Sequence, residues 1–353
     1  MVDVEAYYQA LFDIQDEDPQ SCARTRDAEG TIPGEARDKL FNISAEIKNK
    51  FHEFGSPLPP LLEGCTVLDL GCGSGRDTYL AAQLVGAKGR VIGVEPNAER
   101  LAVARKYLDQ EMKQFGYSTS NVELLQGYPE DLSAVDDASI DVVISNCVLN
   151  LSPDKPKVLA EVKRVLKEGG EFYFTDIYTD RRVPETLATD MKWVASRLGG
   201  ALYIEDFRRL AQAAGFKDPR YLITFKTPMT EEESAAFGDV SFATFTSRLV
   251  NTPLTEDICE SYGETVVYSG ELPDYPDYFL FDKDVRFSTG KECQVCGNVT
   301  GTVGGTRYRE VFEVKIDRSH HLGDTHGDKI IKTAPEYEGV VDEDDQPAMV
   351  SCC

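Results

Sequence analysis

The sequence is poor in basic residues, and it contains no long apolar run. Its 37 Lys and Arg residues are outnumbered by 61 Asp and Glu residues, which leaves a formal net charge of -24. A field of this sign repels the phosphates of nucleic acids and the headgroups of anionic lipids. No apolar run approaches the roughly 20 residues that a membrane-spanning helix needs. These absences argue against nucleic acid and membrane as partners, and we expect a small-molecule substrate.

The amino terminus lacks both the basic start and the apolar segment of a secretory signal peptide. The nine cysteines are unevenly spaced in a chain of 353 residues, unlike those of a small disulfide scaffold. We therefore expect a cytoplasmic protein with mostly reduced thiols, in which Cys72, Cys147 and Cys259 are packing residues. Cys293 and Cys296 have the C-x-x-C spacing of metal and redox sites, but a second pair is missing. The sequence therefore predicts no metal site.

Residues 64–180 alternate strand patterns with helical patterns, which is typical of βαβ units on a parallel sheet. The strand patterns are CTVLDL, RVIGV, VELLQ, SIDVVISN and EFYFTDIY. The segment AERLAVARKYLDQEMKQF places apolar residues at helical spacing, opposite charged ones, and predicts a surface helix that covers the sheet. Residues 61–180 are therefore predicted to form a Rossmann-like α/β domain.

The flanking segments predict a different organisation. Residues 1–60 contain two helical patterns separated by a stretch at 20–33 that is too long for an ordinary turn, which predicts an N-terminal helical lid. Residues 181–315 combine an amphipathic helix with alternating segments, which predicts a C-terminal α+β substrate domain. Residues 316–353 are polar and acidic, and they predict a disordered tail.

The strand pattern VLDL leads directly into a loop of three glycines, and a helical pattern follows. Gly71, Gly73 and Gly75 allow the backbone to turn sharply and to approach a ligand closely. Glu95 ends the next strand pattern, about 20 residues later, where a carboxylate can accept hydrogen bonds from a ribose diol. Nicotinamide sites share such a loop, so the glycines alone predict only a nucleotide-type cofactor.

Three further features favour S-adenosylmethionine over a nicotinamide. The loop has the form D-x-G-x-G-x-G, with Asp69 in front to orient the loop and the methionyl amine. Residues 127–131 follow the third strand pattern, where such folds enclose the adenine, and residues 145–151 end the fourth, beside the sulfonium and the acceptor. The predicted cofactor-binding residues are Asp69, Gly71, Cys72, Gly73, Gly75, Asp77, Glu95, Pro96, Tyr128, Pro129 and Asn146.

Five long blocks of the sequence resemble the arsenite methyltransferase family. They are VLDLGCGSGRD, DVVISNCVLNLSPDK, GGEFYFTDIYTDRRVPE, GGALYIEDFRRLAQAAGF and CESYGETVVYSGELP. The resemblance covers residues 4–315, and it implies a Rossmann-like class I methyltransferase fold with a substrate domain packed on it. The chemistry of this family relies on thiolates that hold trivalent arsenic as a soft ligand.

The sequence departs from this family at three of its four thiolate positions. Cys22 matches the first cysteine, but the other three positions fall at or near Phe54, Arg197 and Val240. A lone Cys22 cannot supply a cage of three thiolates. Arg197 instead offers a planar fork that suits a carboxylate. These departures predict a change of methyl acceptor.

The remaining candidate residues come from the predicted strand ends. The predicted substrate-binding residues are Cys22, Arg181, Arg182 and Arg197, of which Arg181 and Arg182 directly follow a strand pattern. None of the four histidines lies at a predicted strand end, so other polar groups are the candidates for catalysis. The predicted catalytic residues are Asn146, Asn150, Asp176 and Tyr178.

The sequence thus predicts a methyltransferase that acts on a small soft nucleophile. The leading hypothesis is S-methylation of a small thioether or thiol carboxylate, such as a methylthio hydroxy acid on a route to dimethylsulfoniopropionate, because sulfur needs no base. The first alternative is methylation of arsenite or another metalloid by Cys22 together with external thiols. The second is a protein that binds S-adenosylmethionine without catalysis.

Overall fold

The computed structural model describes residues 3–17, 34–51 and 57–323, and its central element is a mixed sheet. The strands of this sheet are β1 (Thr66–Leu70), β2 (Arg90–Glu95), β3 (Val122–Gln126), β4 (Ile140–Asn146), β5 (Leu166–Thr179), β6 (Leu202–Tyr203), β7 (Arg220–Lys226) and β8 (Phe242–Asn251). Their order is β3-β2-β1-β4-β5-β8-β7, and β6 pairs with β5. Strands β1 to β5 run parallel, and β8 and β7 continue the sheet antiparallel.

The helices cover both faces of this sheet and part of its edge. Those of the described residues are α1 (Val4–Glu17), α2 (Gly34–Leu40), α3 (Ala45–Asn49), α4 (Arg76–Val85), α5 (Ala98–Gln114), α6 (Lys155–Val165), α7 (Glu185–Ala188), α8 (Met191–Ala195), α9 (Ile204–Ala213), α10 (Glu231–Phe237) and α11 (Gly297–Gly304). The predicted surface helix is α5, which begins where the Asn97 side chain accepts hydrogen bonds from two backbone N–H groups. None of the described helices is long and apolar enough to cross a membrane.

The parallel strands are apolar on both sides because helices bury both faces of the sheet. Val67 and Val91 pack with α4 and α5 on one face. Leu68 and Ile92, one residue further along each strand, pack with α6 and α9 on the other. This alternation of side chains between the two faces fixes the strand register. Because β1, β2 and β4 run parallel, their carboxyl ends meet at one edge of the sheet.

The sheet does not end at the domain boundary predicted at residue 180. Strand β5 pairs with β8 from Gly170 to Thr179, and β7 and β8 come from the segment assigned to the substrate domain. Two antiparallel strands therefore extend the Rossmann-like sheet. Their alternating pattern suits a strand in either sheet, so the sequence does not reveal which one they join.

A second, smaller unit follows the main sheet. Its strands are β9 (Thr265–Tyr268), β10 (Tyr278–Leu280), β11 (Arg286–Ser288), β12 (Glu292–Gln294) and β13 (Phe312–Lys315). They form a three-stranded sheet, a two-stranded sheet and, with α11, a separate apolar cluster. The Glu171 carboxylate, which is fully buried on β5, joins this unit to the main sheet through Arg307 Nη1 at 2.6 Å and the Tyr308 hydroxyl at 3.2 Å.

Two predictions about the C-terminal part meet different outcomes. Cys259 forms a disulfide with Cys296, so the interpretation of Cys259 as a packing residue is wrong. Most of the predicted disordered tail, from residue 324 onward, lies outside the described residues. The first residues of the predicted tail, 316–323, differ from that prediction, because Arg318 Nη2 donates to the carbonyls of Leu254 at 2.7 Å and Gly297 at 2.9 Å and anchors this segment.

Candidate active site

A cavity of about 280 Å³ lies at the carboxyl ends of β1, β2 and β4. Open α/β sheets bind ligands at this edge, where the loops after neighbouring strands diverge. Of the predicted cofactor-binding residues, those that line the cavity are Asp69, Gly71, Cys72, Gly73, Asp77, Glu95, Pro96, Pro129 and Asn146. Gly75 and Tyr128 do not line it, because Gly75 caps α4 and the Tyr128 ring packs 5.7 Å from the ring of Tyr8.

The loop after β1 requires glycine at position 71 for two reasons. Gly71 has a φ of +74°, in the left-handed region that side chains disfavour. A Cβ atom there would lie 2.3 Å from Cγ2 of Val148. The N–H groups of Gly71 and Cys72 both donate to the Val94 carbonyl, at 2.8 and 3.0 Å. The loop is therefore held against β2 and presents bare backbone to the cavity.

The Glu95 carboxylate is fixed at the end of β2. Its Oε2 accepts a hydrogen bond from the Gly73 N–H at 2.8 Å, and its Oε1 accepts one from the Asn97 N–H at 2.9 Å. Only 3% of Glu95 is exposed. These bonds hold the carboxylate between the glycine loop and α5, which is the place of the ribose acceptor in such folds.

Asp69 lies on the floor of the cavity and accepts a hydrogen bond from the Thr78 hydroxyl at 2.5 Å. Burial, followed by the charge of Asp77, raises the pKa of Asp69 to about 8. A ligand with positive charge relieves this cost, whereas a pyrophosphate increases it. The acidic cluster of Asp69, Asp77 and Glu95 thus fits the cationic S-adenosylmethionine better than a dinucleotide.

Helix α1 covers the cavity from the side of α5. Tyr8, Phe12 and Gln15 of this helix belong to the lining. The Gln15 amide donates to the Ala195 carbonyl at 3.0 Å and accepts from Arg100 Nη2 at 3.0 Å. The amino-terminal helix thereby connects α5 on one side of the cavity with α8 on the other.

No motif predicted these α1 residues as part of the site. Their only signal in the sequence is an aromatic pair, Tyr8 and Phe12, four residues apart on the apolar side of a helix. Such a pair is equally typical of ordinary helix packing. The sequence therefore indicated a lid without indicating which side chains of the lid reach the cavity.

The side of the cavity where the sequence predicts the methyl acceptor is formed by the end of β4 and the turn after α8. Asn146, Cys147 and Arg197 belong to the lining there. Arg197 is 3% exposed and has a φ of +70°, and its N–H donates to the Val194 carbonyl at 2.8 Å. Val240 packs against the apolar cluster that contains Cys147. Of the positions expected to correspond to family cysteines, Arg197 thus lines the cavity together with Cys147, and Val240 packs against the cluster to which Cys147 belongs.

Three of the four predicted catalytic residues do not line the cavity, and only Asn146 does. Asp176 accepts hydrogen bonds from the backbone of Asn150 at 3.0 Å and Ile177 at 2.9 Å, and burial raises its pKa to about 7. The Asn150 amide donates to the Ile177 carbonyl at 2.6 Å. Tyr178 packs in the core, with its ring 4.9 Å from that of Phe207. The pairing of β5 with β8 buries this strand end, so Asp176 and Asn150 support the turn after β4 and Tyr178 is a core residue.

The predicted arginine pair is also away from the cavity. Arg181 is ion-paired with Asp180 at 2.9 Å and Arg182 with Asp206 at 2.6 Å, and both arginine side chains are more than half exposed. Cys22, like Phe54, lies outside the described residues. Of the predicted substrate-binding residues, the structure places Arg197 in the cavity wall.

Known families and proteins match most of the chain. Residues 61–215 match the model of a methyltransferase domain, and residues 262–353 match that of the arsenite methyltransferase C-terminal domain. The arsenite methyltransferase of Aquipseudomonas alcaligenes is 43% identical over 83% of this chain and 85% of its own length. That of Homo sapiens is 37% identical over 89% of this chain and 83% of its own length.

One solved structure is similar over most of the chain. The crystal structure of an arsenic (III) S-adenosylmethionine methyltransferase from Chlamydomonas reinhardtii matches with a TM-score of 0.80 and 41% identity. The match covers 83% of this chain and 99% of that one. It confirms the class I methyltransferase fold expected from the sequence.

Proposed function

The chain belongs to the arsenite methyltransferase family and is an S-adenosylmethionine-dependent methyltransferase, and we propose that its acceptor is a trivalent arsenical. The relatives that match most of its length carry the name arsenite methyltransferase. They favour the metalloid alternative over the thioether carboxylate, which was the leading hypothesis from the sequence. The methyl acceptor would bind at the wall formed by Asn146, Cys147 and Arg197.

The observation that carries this proposal is the lack of a base on the acceptor side. Among the described residues that line the cavity there is no histidine. The carboxylates that line it belong to α1, β1, α4, β2 and α5 rather than to the end of β4 or the turn after α8, and they are Asp16, Asp69, Asp77, Glu95 and Glu99. Amines and hydroxyls need a proton acceptor before they can attack, whereas arsenic(III) carries a lone pair. The cavity is therefore suited to a nucleophile that needs no deprotonation.

The cofactor supplies an electrophilic methyl group on a sulfonium. In this chain Glu95 is positioned to hold its ribose, the backbone of Gly71 and Gly73 to allow its close approach, and Asp69 to face its positive charge. Helix α1 and the turn after α8 form part of the cavity wall and would limit the access of water when the ligands are bound. The protein's contribution is alignment and exclusion of water, as in-line methyl transfer requires.

Arg197 suggests how the arsenical is carried. A guanidinium cannot bind arsenic, but it binds carboxylates through two parallel hydrogen bonds. An arsenical bound to acidic thiols such as glutathione brings thiolate ligands in place of the cysteines expected at or near Phe54, Arg197 and Val240, and it brings carboxylates for Arg197. The proposed acceptor is therefore a complex of arsenite with small acidic thiols, beside the Cys147 thiol.

Transfer of label from methyl-labelled S-adenosylmethionine tests the proposal. The acceptors tested are arsenite with glutathione and a methylthio carboxylate, and buffer without acceptor is the blank. An Arg181→Ala variant shows whether a change of surface charge alone affects transfer. We expect label in methylated arsenicals for the unmodified chain and for the control. Label in the thioether alone would restore the carboxylate hypothesis, and binding of the cofactor without any transfer would indicate a non-catalytic protein.

A further inference from the structure

The C-terminal unit contains a cysteine pair that the proposed reaction does not use. Cys259 lies in the loop between β8 and β9, and Cys296 immediately precedes α11. Their Cα atoms are 5.6 Å apart, and they form a disulfide. Both residues are half-buried, and neither lines the cofactor cavity. The pair is therefore a separate candidate site for thiol chemistry.

Bonds other than the disulfide hold the two cysteines together. The Asn298 side chain accepts from the Glu256 N–H at 2.7 Å and donates to the Glu256 carbonyl at 2.9 Å and the Ile258 carbonyl at 3.2 Å. The Gly297 N–H donates to the Glu260 carbonyl at 2.8 Å. These contacts flank both cysteines, so reduction leaves two thiols side by side on a fixed backbone.

The side chain of Arg220 lies beside the Cys259 sulfur. Arg220 Nη2 donates to the Cys259 sulfur at 3.5 Å. Asp218 and Asp282 hold the guanidinium in place, with ion-pair distances of 2.6 and 2.9 Å. Arg220 thereby fixes the position of the Cys259 sulfur, and a cysteine binds soft ligands through this atom as the thiolate.

We infer that the reduced pair Cys259 and Cys296 is a second binding site for trivalent arsenicals, separate from the cofactor cavity. Two small thiols first reduce the disulfide and leave as their own disulfide. Arsenite then exchanges two hydroxyl ligands: two S–H protons and two hydroxyls leave as two waters, and two As–S bonds form. No oxidation of arsenic is involved. The choice of an arsenical as the ligand rests on the proposed function, whereas the site itself rests on the positions of Cys259 and Cys296.

The number of donors distinguishes this ligand from a metal ion. Within residues 3–17, 34–51 and 57–323, no group of three or more His, Cys, Asp or Glu side chains is placed to hold a metal. Structural zinc takes four such ligands. Two adjacent thiols are instead sufficient for an arsenical that keeps its third substituent.

Protection from alkylation tests the inference without any turnover. The full chain is reduced, incubated with phenylarsine oxide in the absence of S-adenosylmethionine, and treated with iodoacetamide before peptide mass spectrometry. We expect Cys259 and Cys296 to be protected together, and a dithiol but not a monothiol to restore their labelling. Cys296→Ser should abolish protection of Cys259, whereas Cys293→Ser, a neighbouring free cysteine, should leave it unchanged.

Unchanged alkylation of Cys259 and Cys296 in the unmodified, reduced chain would overturn the inference, and this arm requires no variant to fold. Protection of Cys259 that persists in Cys296→Ser would overturn it as well. The outcome is independent of the proposed function. Methylation of arsenite without protection would refute the second site alone, and protection without methylation would support the site while refuting the proposed acceptor.

Discussion

The two ends of the cavity are built in different ways. At the cofactor end, Asp69, Gly71 and Glu95 belong to consecutive elements, β1, its loop and β2, and backbone hydrogen bonds join them. At the acceptor end, Arg197 follows α8, and the lid contacts α8 through a hydrogen bond between residues 180 positions apart in the chain. Local sequence therefore determines cofactor binding, while tertiary packing determines what stands opposite the methyl group.

This difference implies that the two functions respond separately to substitution. A change in the glycine loop removes a feature that every acceptor needs. A change at Arg197 alters the wall that the proposed acceptor would contact and leaves the loop and Glu95 unchanged. Binding of the cofactor and choice of acceptor are thus expected to vary independently.

The strongest disruption of the cofactor end is Gly71→Val. The new side chain would collide with Val148 and would also need a left-handed backbone, so we expect S-adenosylmethionine binding to fall below detection in calorimetry. Gly64→Ala is the matched control, because Gly64 has the same φ of +74° but nothing within 4 Å of a new Cβ. Normal affinity in Gly71→Val would refute the close approach of cofactor and loop.

A smaller effect at the same end is a dependence on pH. The folded pKa of Asp69 is raised from 3.8 to about 8, so its contribution to stability is present below about pH 4 and is lost as the pH rises to about 8. A cationic ligand favours the ionised carboxylate. Affinity for S-adenosylmethionine should therefore increase from pH 6 to 8, by up to about tenfold per unit.

Calorimetry across this pH range, with Asp69→Asn as the comparison, checks the prediction. The variant cannot ionise at this position but shares every other titration of protein and ligand. Its affinity should be lower and nearly independent of pH. Parallel curves for the two proteins would show that Asp69 does not face the positive charge.

The smallest expected change is a gain at the acceptor end. Arg197→Cys introduces a thiol at a position that the sequence predicts to match a family cysteine, and Val240→Cys introduces one at another such position. We expect methylation of arsenite to become less dependent on added glutathione, by about a fewfold, because the chain then supplies its own soft ligands. Label transfer at limiting glutathione measures this. An unchanged thiol requirement in the double variant would contradict the assignment of these positions.

The same contrast explains what the sequence could predict. The glycine loop and Glu95 are local features, since a strand, a turn and the next strand bring them together without help from the rest of the chain. Asp176 and Tyr178 were predicted as catalytic from their place at the end of β5. They are buried because β8, more than 60 residues later, pairs along that strand end, and no pattern within β5 reveals this.

Long-range pairing accounts for the other differences as well. The disulfide joins Cys259 and Cys296 across 37 residues, whereas the sequence analysis expected mostly reduced thiols and a packing role for Cys259. Arg181 and Arg182 follow β5, but the strand continues to Thr179 and the chain then turns to the surface. A residue that follows a strand closely in the sequence therefore does not necessarily lie close to the cavity.

The separation of the two ends is tested most directly by two measurements. Each is made on the unmodified chain, on Glu95→Ala and on Arg197→Ala. The first is the Kd for S-adenosylmethionine, and the second is the ratio of kcat/KM for arsenite carried by glutathione to that for arsenite carried by an uncharged thiol. Glu95→Ala should raise the Kd roughly tenfold to a hundredfold and leave the ratio unchanged, because it removes a charged hydrogen-bond acceptor.

Arg197→Ala should do the reverse. The ratio should fall by about tenfold or more, through loss of a buried contact to carboxylate, while the Kd stays within about twofold of the unmodified value. If Arg197→Ala raises the Kd as much as Glu95→Ala does, or if acidic and uncharged carriers are affected equally, the two ends of the cavity are not separable and the account is contradicted.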